Sequence, residues 1–285
     1  MGTLYVVATP IGNLNDMTKR AIDTLKDVDY ILAEDTRQTL KLLSHFDIKN
    51  KLVSYHKFNE EKKSSSIIDD LKEEKNIALV SDAGTPCISD PGYVIVKKAR
   101  ENNINVLTIP GCSAIIAALS TGGLDTSSFT FYGFVPTEKK LKKELFNKIK
   151  KSDVKTKIVY ESPKRILSFL NELQEEIPDA FVCVCSELTK IHEKYFYGIV
   201  NDVYNEINKD INNQKGEFVI LISNEKEEVK EDSISIESLI LNEIINNRCS
   251  IKEAVNSLNN KNKNLSKKDI YNAGINLKSI MSKIK

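Results

Sequence analysis

The hydrophobic positions of residues 1–121 alternate between short apolar runs and amphipathic stretches. The apolar runs predict five buried strands, at residues 4–8, 30–33, 51–55, 77–80 and 105–109. Between these runs, apolar residues recur every three or four positions, which is the period of a helix that packs on one face. Strands that alternate with helices across short connections indicate a parallel sheet covered on both faces. We therefore predict a doubly wound α/β domain over residues 1–121.

The pattern changes after Gly122 and Gly123. Strand-like apolar runs follow at residues 128–134, 156–161, 180–188, 193–200 and 216–223. A lysine-rich helical stretch and a second helix, over residues 163–176, lie among them. Polar and apolar residues alternate in residues 193–200, which favours a half-exposed antiparallel strand. A second α/β domain with a mixed sheet is therefore predicted over residues 122–224.

The last part of the chain has a different composition. Residues 224–232 (NEKEEVKED) form a charged segment of the kind that separates structural units. Beyond it, the apolar spacing predicts three or four short amphipathic helices, the last no more than a turn. We expect these to form a small all-helical domain over residues 233–285.

Composition limits the class of protein. The chain has 285 residues, of which 41% are hydrophobic and 28% charged, as is typical of globular proteins. No apolar run approaches the roughly 20 residues that span a bilayer, and the first 14 residues do not resemble a signal peptide. The five cysteines include no CxxC pair, and Cys183 and Cys185 are expected on one face of a strand as reduced core thiols. We predict a cytoplasmic protein with no membrane association and no metal site.

Four loops at the carboxyl ends of the predicted parallel strands carry the candidate chemistry. They are TPIGN (9–13), AEDTR (33–37), VSDAGTPCISDPG (80–92) and IPGCSA (109–114). In open parallel sheets ligands bind at these ends, and glycine and small residues allow the backbone to approach a ligand closely. Each loop alone is compatible with a tight turn, but together they favour a binding rim. The G-x-G-x-x-G and P-loop motifs are absent, which argues against a conventional dinucleotide site or a P-loop kinase.

These loops occur with three later motifs in a characteristic order. The later motifs are ESPKR (161–165), ELTKIHE (187–193) and KGEF (215–218). From about residue 3 to residue 222 the chain resembles the 16S ribosomal RNA (cytidine) 2′-O-ribose methyltransferases of the tetrapyrrole methylase-like superfamily. The tail resembles, more weakly, the small helix-turn-helix-like domain of that family. Cys87, Cys112 and Lys164 stand where the family often has Leu, Pro and His, but no carboxylate or glycine of the motifs is lost.

The resemblance implies a fold of two α/β domains that form a cleft for S-adenosylmethionine. It also implies a homodimer. The implied cofactor-binding residues are Pro10, Gly12, Ser81, Asp82, Ala83, Gly84, Ser113, Ala114, Tyr160, Glu161 and Gly216. Because a sulfonium is positively charged, a carboxylate such as Asp82 or Asp90 could stabilise it.

The reaction implied is methyl transfer to the ribose 2′-hydroxyl of a cytidine in 16S ribosomal RNA, within the small ribosomal subunit. A hydroxyl is a poor nucleophile before it loses its proton, so a general base is expected. The candidate bases are Asp35, Asp82 and Glu187, with Arg37 and Lys190 orienting the ribose or its phosphates. For each of these residues a purely structural ion pair is an equally good interpretation.

Two basic stretches favour an RNA substrate. Lysines crowd residues 139–157, and basic residues outnumber acids in the tail from Arg248 to Lys285. A lysine run is also typical of a solvated helix face. Two alternatives therefore remain: a methyltransferase that acts on a small tetrapyrrole, and a non-catalytic RNA-binding factor of ribosome assembly.

Overall fold

The computed structural model describes residues 1–224, 235–261 and 266–283. The chain forms two compact units, Met1–Lys226 and Glu227–Lys285. The predicted start of the helical domain at residue 233 falls outside the described residues, as does nearly all of the charged segment 224–232. Among the described residues, no helix is both long enough and apolar enough to span a membrane.

The first sheet has five parallel strands, as predicted. They are β1 (Thr3–Val7), β2 (Tyr30–Ala33), β3 (Leu52–Ser54), β4 (Ile77–Val80) and β5 (Asn105–Ile109). Their spatial order is β3-β2-β4-β1-β5. All residues of β2 and β4 are buried, which explains why these strands read as continuous apolar runs.

Helices cover both faces of this sheet. They are α1 (Lys19–Asp27), α2 (Thr36–His45), α3 (Glu60–Lys72) and α4 (Tyr93–Glu101). Successive strand residues point to opposite faces. Ile31 therefore lies in a core cluster with α1 and α2, whereas Leu32 lies in a second cluster with α3 and α4. The predicted doubly wound arrangement is confirmed.

The second sheet is mixed, as predicted. It consists of β6 (Phe129–Phe134), β7 (Thr156–Glu161), β8 (Phe181–Ser186), β9 (Lys194–Ile199) and β10 (Phe218–Ser223). The order is β6-β7-β10-β8-β9, and β6 and β7 pair in parallel while the other pairs are antiparallel. In the edge strand β9 only Phe196 is fully buried, which confirms the predicted half-exposed strand. Cys183 and Cys185 are buried free thiols on one face of β8, with their Sγ atoms 3.8 Å apart.

Helices cover both faces of the second sheet too. One face packs against α6 (Lys139–Lys151), α7 (Ile166–Glu176) and α8 (Val200–Lys209). The other face packs against α5 (Ala114–Thr121), which directly follows the last strand of the first sheet. Helix α5 therefore brings the loop after β5 up to the second sheet. The sequence pattern missed α8, although Val200, Val203 and Ile207 are spaced along its buried face.

The described part of the C-terminal unit contains α9 (Ile236–Asn247), α10 (Ile251–Lys261) and α11 (Lys267–Lys283). These helices share an apolar core that includes Ile240, Leu258 and Ile270. The prediction of a short helix followed by a separate last turn was wrong, because α11 continues as one helix to Lys283. Its only glycine, Gly274, does not end the helix; it allows a close approach to the Val255 side chain.

Candidate active site

The loop Ser81–Gly92 is strongly bent. Four of its residues have left-handed backbone conformations: Gly84 (φ +80°), Cys87 (+72°), Ser89 (+68°) and Gly92 (+133°). Only glycine adopts such values without steric cost, so the loop uses two glycines and still holds two side-chain-bearing residues in a strained state. An ordinary turn between a strand and a helix does not need four residues with positive φ. The turn-rich sequence of the loop is therefore explained by its shape.

The loops after β1 and β4 are joined by hydrogen bonds at the topological switch point of the sheet, where the order of successive strands reverses. The two strands are neighbours, but α1 and α4 leave toward opposite faces, which creates the crevice where ligands bind in open α/β sheets. The Thr9 N–H donates to the Gly84 carbonyl (2.9 Å), and the Gly84 N–H donates to the Thr9 carbonyl (3.0 Å). The Thr85 hydroxyl donates to the Cys112 carbonyl (3.0 Å), which adds the loop after β5.

A cavity of about 520 Å³ is bordered by these loops and by strands of the second sheet. Small-molecule sites typically measure about 300–1,000 Å³. The first half of the chain contributes Ile11, Glu34, Asp82, Ala83, Gly84, Thr85, Ile88, Ser89, Asp90, Ser113 and Ala114. The second half contributes Phe134, Tyr160, Glu161, Ser162, Pro163, Leu188, Glu217, Phe218 and Val219.

Three carboxylates give the wall from the first sheet a negative charge. Burial raises the pKa of Glu34, and the charges of Asp90 and Asp82 raise it further. Burial also raises the pKa of Asp90. A side-chain hydrogen bond with Ser81 lowers this pKa, and the negative charge of Asp82 raises it further. The charges of Asp82 and Asp90 make ionisation of Glu34 less favourable, and the charge of Asp82 does the same for Asp90, so a cation placed among them would be stabilised.

The opposite wall contains an ion pair between the buried Glu161 and the partly exposed Arg165. The Arg165 Nη2 atom lies 2.7 Å from Oε1 of Glu161, and the same oxygen accepts the Ser162 N–H (2.6 Å). Burial raises the pKa of Glu161 in spite of these contacts. Beside it, burial and the charge of Asp90 raise the pKa of Tyr160 to about 12, so this phenol stays neutral. The Tyr160 ring meets the Phe134 ring edge to face, with centroids 5.2 Å apart.

A clasp of charged residues joins the loop after β8 to the start of β10. The Lys190 Nζ atom donates to Oε1 of Glu187 (2.9 Å) and to Oε2 of Glu217 (3.2 Å). Burial raises the pKa of Glu187, but hydrogen bonds from Lys190 and from the Glu217 N–H lower it more, so the net pKa lies below its usual value. Gly12 packs against this clasp, since a Cβ there would lie 2.5 Å from Cγ of Lys190.

Asp35 is the N-terminal cap of α2. Its Oδ1 atom accepts the Arg37 N–H (2.9 Å), and the Arg37 guanidinium binds both carboxylate oxygens, with Nη2 to Oδ2 at 2.7 Å. Hydrogen bonds from Arg37 lower the pKa of Asp35 to about 2. The Asp35 N–H in turn donates to Oδ1 of Asp82 (3.1 Å), which orients that carboxylate at the cavity.

Comparison with known proteins identifies this architecture. The family model described as Tetrapyrrole (Corrin/Porphyrin) Methylases matches residues 3–203. The chain belongs to the tetrapyrrole methylase family. The family expected from the motifs is thereby confirmed, and it is a family of enzymes whose methyl donor is S-adenosylmethionine.

Individual relatives agree with this assignment. "Ribosomal RNA small subunit methyltransferase I" of Halalkalibacterium halodurans is 43% identical over 275 residues, which cover 95% of this chain and 94% of that protein. The protein of the same name from Thermotoga maritima is 42% identical over 223 residues, which cover 78% of this chain but 99% of that protein. A crystal structure of diphthine synthase shares the fold, with a TM-score of 0.59 and 14% identity over 78% of this chain and 90% of that one.

The cavity fits the methyl donor of the tetrapyrrole methylases. A sulfonium cation suits the carboxylates Glu34, Asp82 and Asp90 on one wall. The small residues Ala83, Gly84 and Ala114 keep the cavity open, and Ile11, Phe134 and Leu188 offer apolar surface. The charge, size and lining of the cavity therefore agree with a cationic ligand such as S-adenosylmethionine.

Most of the predicted cofactor-binding residues meet in this cavity. Those that line it are Asp82, Ala83, Gly84, Ser113, Ala114, Tyr160 and Glu161. Four of the predicted residues do not line the cavity: Pro10, Gly12, Ser81 and Gly216. Ser81 and Pro10 are buried, Gly12 contacts Lys190, and Gly216 packs closely on the Glu187 side chain. Their roles as cofactor contacts stay predictions.

The structure brings the predicted catalytic residues into two groups, Asp35 with Arg37 and Asp82, and Glu187 with Lys190. Asp82 lines the cavity, whereas Asp35 and Glu187 are held in ion pairs with Arg37 and Lys190. The residues that were missed include Glu34, directly before the predicted Asp35, and Glu217, directly after the predicted Gly216. Phe134 and Val219 were also missed, because in the sequence they are indistinguishable from core residues of a strand. Glu34 lies inside the motif AEDTR (33–37), and Glu217 and Phe218 lie inside KGEF (215–218), so membership of a motif was the sequence signal for these three residues.

Proposed function

We propose that the protein transfers a methyl group from S-adenosylmethionine to the ribose 2′-hydroxyl of a cytidine in 16S ribosomal RNA. The observation that carries this proposal is the cavity of about 520 Å³ lined by Glu34, Asp82 and Asp90, in a chain whose full-length relatives are named as small-subunit ribosomal RNA methyltransferases. The acidic wall suits a cationic donor, and the relatives point to the acceptor.

The residues of the cavity have distinct roles toward the donor. S-adenosylmethionine supplies an electrophilic methyl group on a positively charged sulfur. Asp82 and Asp90 stabilise that charge, while the backbone at Ala83 and Gly84 approaches the ligand closely. Tyr160 and Glu161 close the opposite wall and exclude water from it. Ser113 and Ala114 border the adenosyl group at the start of α5.

Asp82 is the best of the three predicted bases. Asp35 and Glu187 are each neutralised by a cation, and both have lowered pKa values, which makes them weak bases. Asp82 lines the cavity and is oriented by the Asp35 N–H, so its carboxylate can accept the proton of the 2′-hydroxyl. General base catalysis of this kind contributes about 10²–10⁴ in rate.

The RNA contacts proposed here use exposed cations. On α6 the exposed lysines are Lys139, Lys140, Lys143, Lys148, Lys150 and Lys151. The predicted patch is smaller than expected, because Lys142 and Lys150 pair with Glu172 and Glu176 of α7, and Lys157 is buried in β7. In the tail, Lys252, Lys267 and Lys268 have exposed side chains. Arg37 is also exposed, so its guanidinium can bind a phosphate while it holds Asp35.

The proposal extends to the setting of the reaction. We propose that residues 1–121 and 122–224 act as the two domains of one cleft, and that residues 233–285 form an RNA-contacting domain. The substrate is RNA within the small ribosomal subunit, the enzyme is a homodimer, and a ribosomal RNA substrate places it in the cytoplasm.

The test is methyl transfer from isotopically labelled S-adenosylmethionine to three acceptors: small subunits that lack the modification, free 16S RNA, and tetrapyrroles. We expect label in the subunits, at the 2′-oxygen of one cytidine. Label in a tetrapyrrole would support the small-molecule alternative. If the protein binds the subunits tightly but transfers no label, it is a non-catalytic assembly factor.

A further inference from the structure

A rigid turn at the carboxyl end of β3 exposes an aromatic ring. The His56 N–H donates to Oδ1 of Asn59 (2.9 Å), and the Asn59 N–H donates to the His56 carbonyl (2.9 Å). The Asn59 side chain also bonds the His56 ring (3.0 Å), and Lys63 Nζ donates to the Ser54 carbonyl (2.6 Å). Within this fixed turn the Phe58 side chain is 94% exposed. Its exposure is therefore built into the fold and is not a consequence of a loose loop.

The same turn is tied to the loop that forms the cavity. Oε2 of Glu60 accepts the N–H of Gly92 (3.3 Å), the last residue of the bent loop Ser81–Gly92. Tyr93, which follows Gly92, is 67% exposed. Phe58 is two residues from one partner of this hydrogen bond, and Tyr93 is adjacent to the other. Two exposed aromatic residues are therefore close in sequence to the two partners of one hydrogen bond.

Two further exposed apolar residues lie at the cavity itself. Ile88, in the bent loop, is 45% exposed, and Phe134, at the end of β6, is 58% exposed. Both residues line the cavity. We give the name aromatic track to four exposed residues, three of them aromatic: Phe58, Tyr93, Ile88 and Phe134. The first two belong to the turn after β3 and to the start of α4, and the last two line the proposed methyl-donor site.

The charges beside the aromatic track are suited to an anionic chain. Lys57 and Lys62 are exposed on either side of Phe58. Beside Phe58, Glu60 accepts the Gly92 N–H and Glu61 pairs with Lys98 (2.9 Å), whereas the carboxylates Glu34, Asp82 and Asp90 lie at the cavity end of the track, where the cationic donor is proposed to bind. Exposed aromatic rings among lysines are what proteins use to bind unpaired nucleic acid, by stacking bases on rings and neutralising phosphates.

We propose that the aromatic track binds an unpaired RNA strand, with bases stacked on Phe58 and Tyr93 next to the nucleotide whose ribose enters the cavity. This inference rests on the proposed function, since it assigns the path of the RNA to that same site. Neighbouring strands are about 4.8 Å apart, so β3 and β4 are separated by about 10 Å across β2. The track therefore contacts nucleotides close to the methylated one.

The chain contains no tryptophan, which allows a direct test of stacking. A Phe58→Trp variant carries a single indole at the proposed stacking position. We expect a short single-stranded RNA oligonucleotide to quench its fluorescence, and a duplex of the same sequence to quench it much less. The matched control is Phe129→Trp, because Phe129 is exposed at the amino end of β6, at the opposite end of that strand from Phe134. No quenching, or equal quenching of both variants, would overturn the proposal.

Turnover gives an independent measure of the same contact. Loss of one stacked base reduces binding by about 5- to 100-fold. We expect Phe58→Ala and Tyr93→Ala each to raise KM for small subunits by a factor in this range, with unchanged affinity for S-adenosylmethionine and an unchanged monomer–dimer equilibrium. Phe129→Ala should change none of these. An unchanged KM contradicts the proposal. A changed oligomeric state with an unchanged KM would instead make the track a self-association surface.

The wild-type enzyme separates failure of this inference from failure of the proposed function. If wild-type protein methylates small subunits but neither Phe58 variant shows an effect, only the aromatic track is wrong. If wild-type protein methylates no RNA, the proposed function fails, and the oligonucleotide titration of Phe58→Trp still reports whether the track binds RNA.

Discussion

Thr9 and Gly84 are joined by two main-chain hydrogen bonds, of 2.9 and 3.0 Å, although 75 residues separate them along the chain. This contact links the loops after β1 and β4, the neighbouring strands from which the chain departs toward opposite faces of the first sheet. It fixes the backbone that borders the cavity. The left-handed conformation of Gly84, with φ at +80°, is part of the same geometry.

Substitution of Gly84 should therefore affect stability and cofactor binding together. A Cβ at this position meets Ile11 at an ordinary 3.4 Å, so the strain comes from the backbone and amounts to about 1–2 kcal/mol. We expect Gly84→Ala to lower Tm by about 2–8 °C and to weaken S-adenosylmethionine binding about tenfold. Calorimetry and thermal unfolding measure the two effects.

Gly198→Ala is the matched control for Gly84→Ala. Gly198 also has a left-handed backbone, with φ at +151°, but it lies in the edge strand β9 and does not line the cavity. Its substitution should lower Tm without any change in cofactor affinity. Wild-type affinity in Gly84→Ala would show that this loop does not border the cofactor.

The rim loops could be predicted from the sequence because their composition differs from that of ordinary turns. On the second wall, the resemblance implied Tyr160 and Glu161, but Phe134 and Val219 could not be predicted, because they have the same apolar character as the core residues beside them. They border a cavity only because α5 covers part of that sheet face, which is a tertiary relationship. Helix α8 was missed for a local reason: it begins at Val200, directly after β9, with no turn residue to mark the change.

The ion pairs show a second limit of sequence interpretation. Asp35 and Arg37 are two residues apart, and Glu187 and Lys190 three, so each pair was compatible with catalysis or with a structural contact. The structure shows that each pair is formed. Protonation behaviour depends on such contacts and on burial, neither of which is encoded in a motif.

Binding of the methyl donor should depend on pH in the mildly acid range. The raised pKa values of Glu34 and Asp90 mean that these groups take up protons at higher pH than ordinary carboxylates, so the cavity loses negative charge as the pH falls. We expect the affinity for S-adenosylmethionine to decrease by up to about tenfold per pH unit for each proton that must be released. S-adenosylhomocysteine, whose sulfur is neutral, is the matched ligand, and its affinity should change little. Equal pH dependence of both ligands would contradict a carboxylate–sulfonium interaction.

The same protonation should appear in the stability of the ligand-free protein. A carboxylate whose pKa is raised on folding contributes stability that is present below its unfolded pKa and is lost as the pH rises through the folded value. Asp90→Asn cannot ionise, so it should lose part of this pH dependence and be more stable than wild type at neutral pH. Urea unfolding between pH 4 and pH 8, roughly the range in which carboxyl groups with raised pKa values titrate, measures the difference in unfolding free energy between the two proteins. If the unfolding free energies of both proteins depend on pH in the same way, the pKa of Asp90 is not raised on folding.

The ion pair between Arg165 and the buried Glu161 should be important for folding. Arg165→Ala leaves the buried Glu161 carboxylate without its cation; breaking a fully buried pair costs about 3–5 kcal/mol, and because the Arg165 side chain is 30% exposed we expect a loss of about 1–3 kcal/mol. Denaturant unfolding gives the value. Lys19→Ala, which breaks the exposed pair of Lys19 with Asp23 at 3.2 Å, is the control and should change stability by less than about 0.5 kcal/mol. Similar small losses in both variants would mean that Glu161 is not buried as described.

Removal of residues 233–285 should separate RNA use from cofactor binding. The cavity is lined entirely by residues of the first compact unit, and the match to the Thermotoga maritima relative covers 99% of that protein with 223 residues. We expect the truncated protein to bind S-adenosylmethionine as wild type does. Its KM for small subunits should rise about tenfold, because phosphate contacts of the tail are lost. Wild-type turnover of the truncated protein would refute a role of the tail in RNA binding.

The central claim is that the cavity between the two sheets holds S-adenosylmethionine. Two single substitutions on α5, one at the cavity and one away from it, test this claim most directly. Ala114 lines the cavity, whereas Ile116, two residues further along the same helix, does not line it and is 55% exposed. In calorimetric titrations with S-adenosylmethionine, Ala114→Trp should abolish binding and Ile116→Trp should bind as wild type does. If Ala114→Trp binds with wild-type affinity, or if the wild-type protein binds no S-adenosylmethionine, the claim is contradicted.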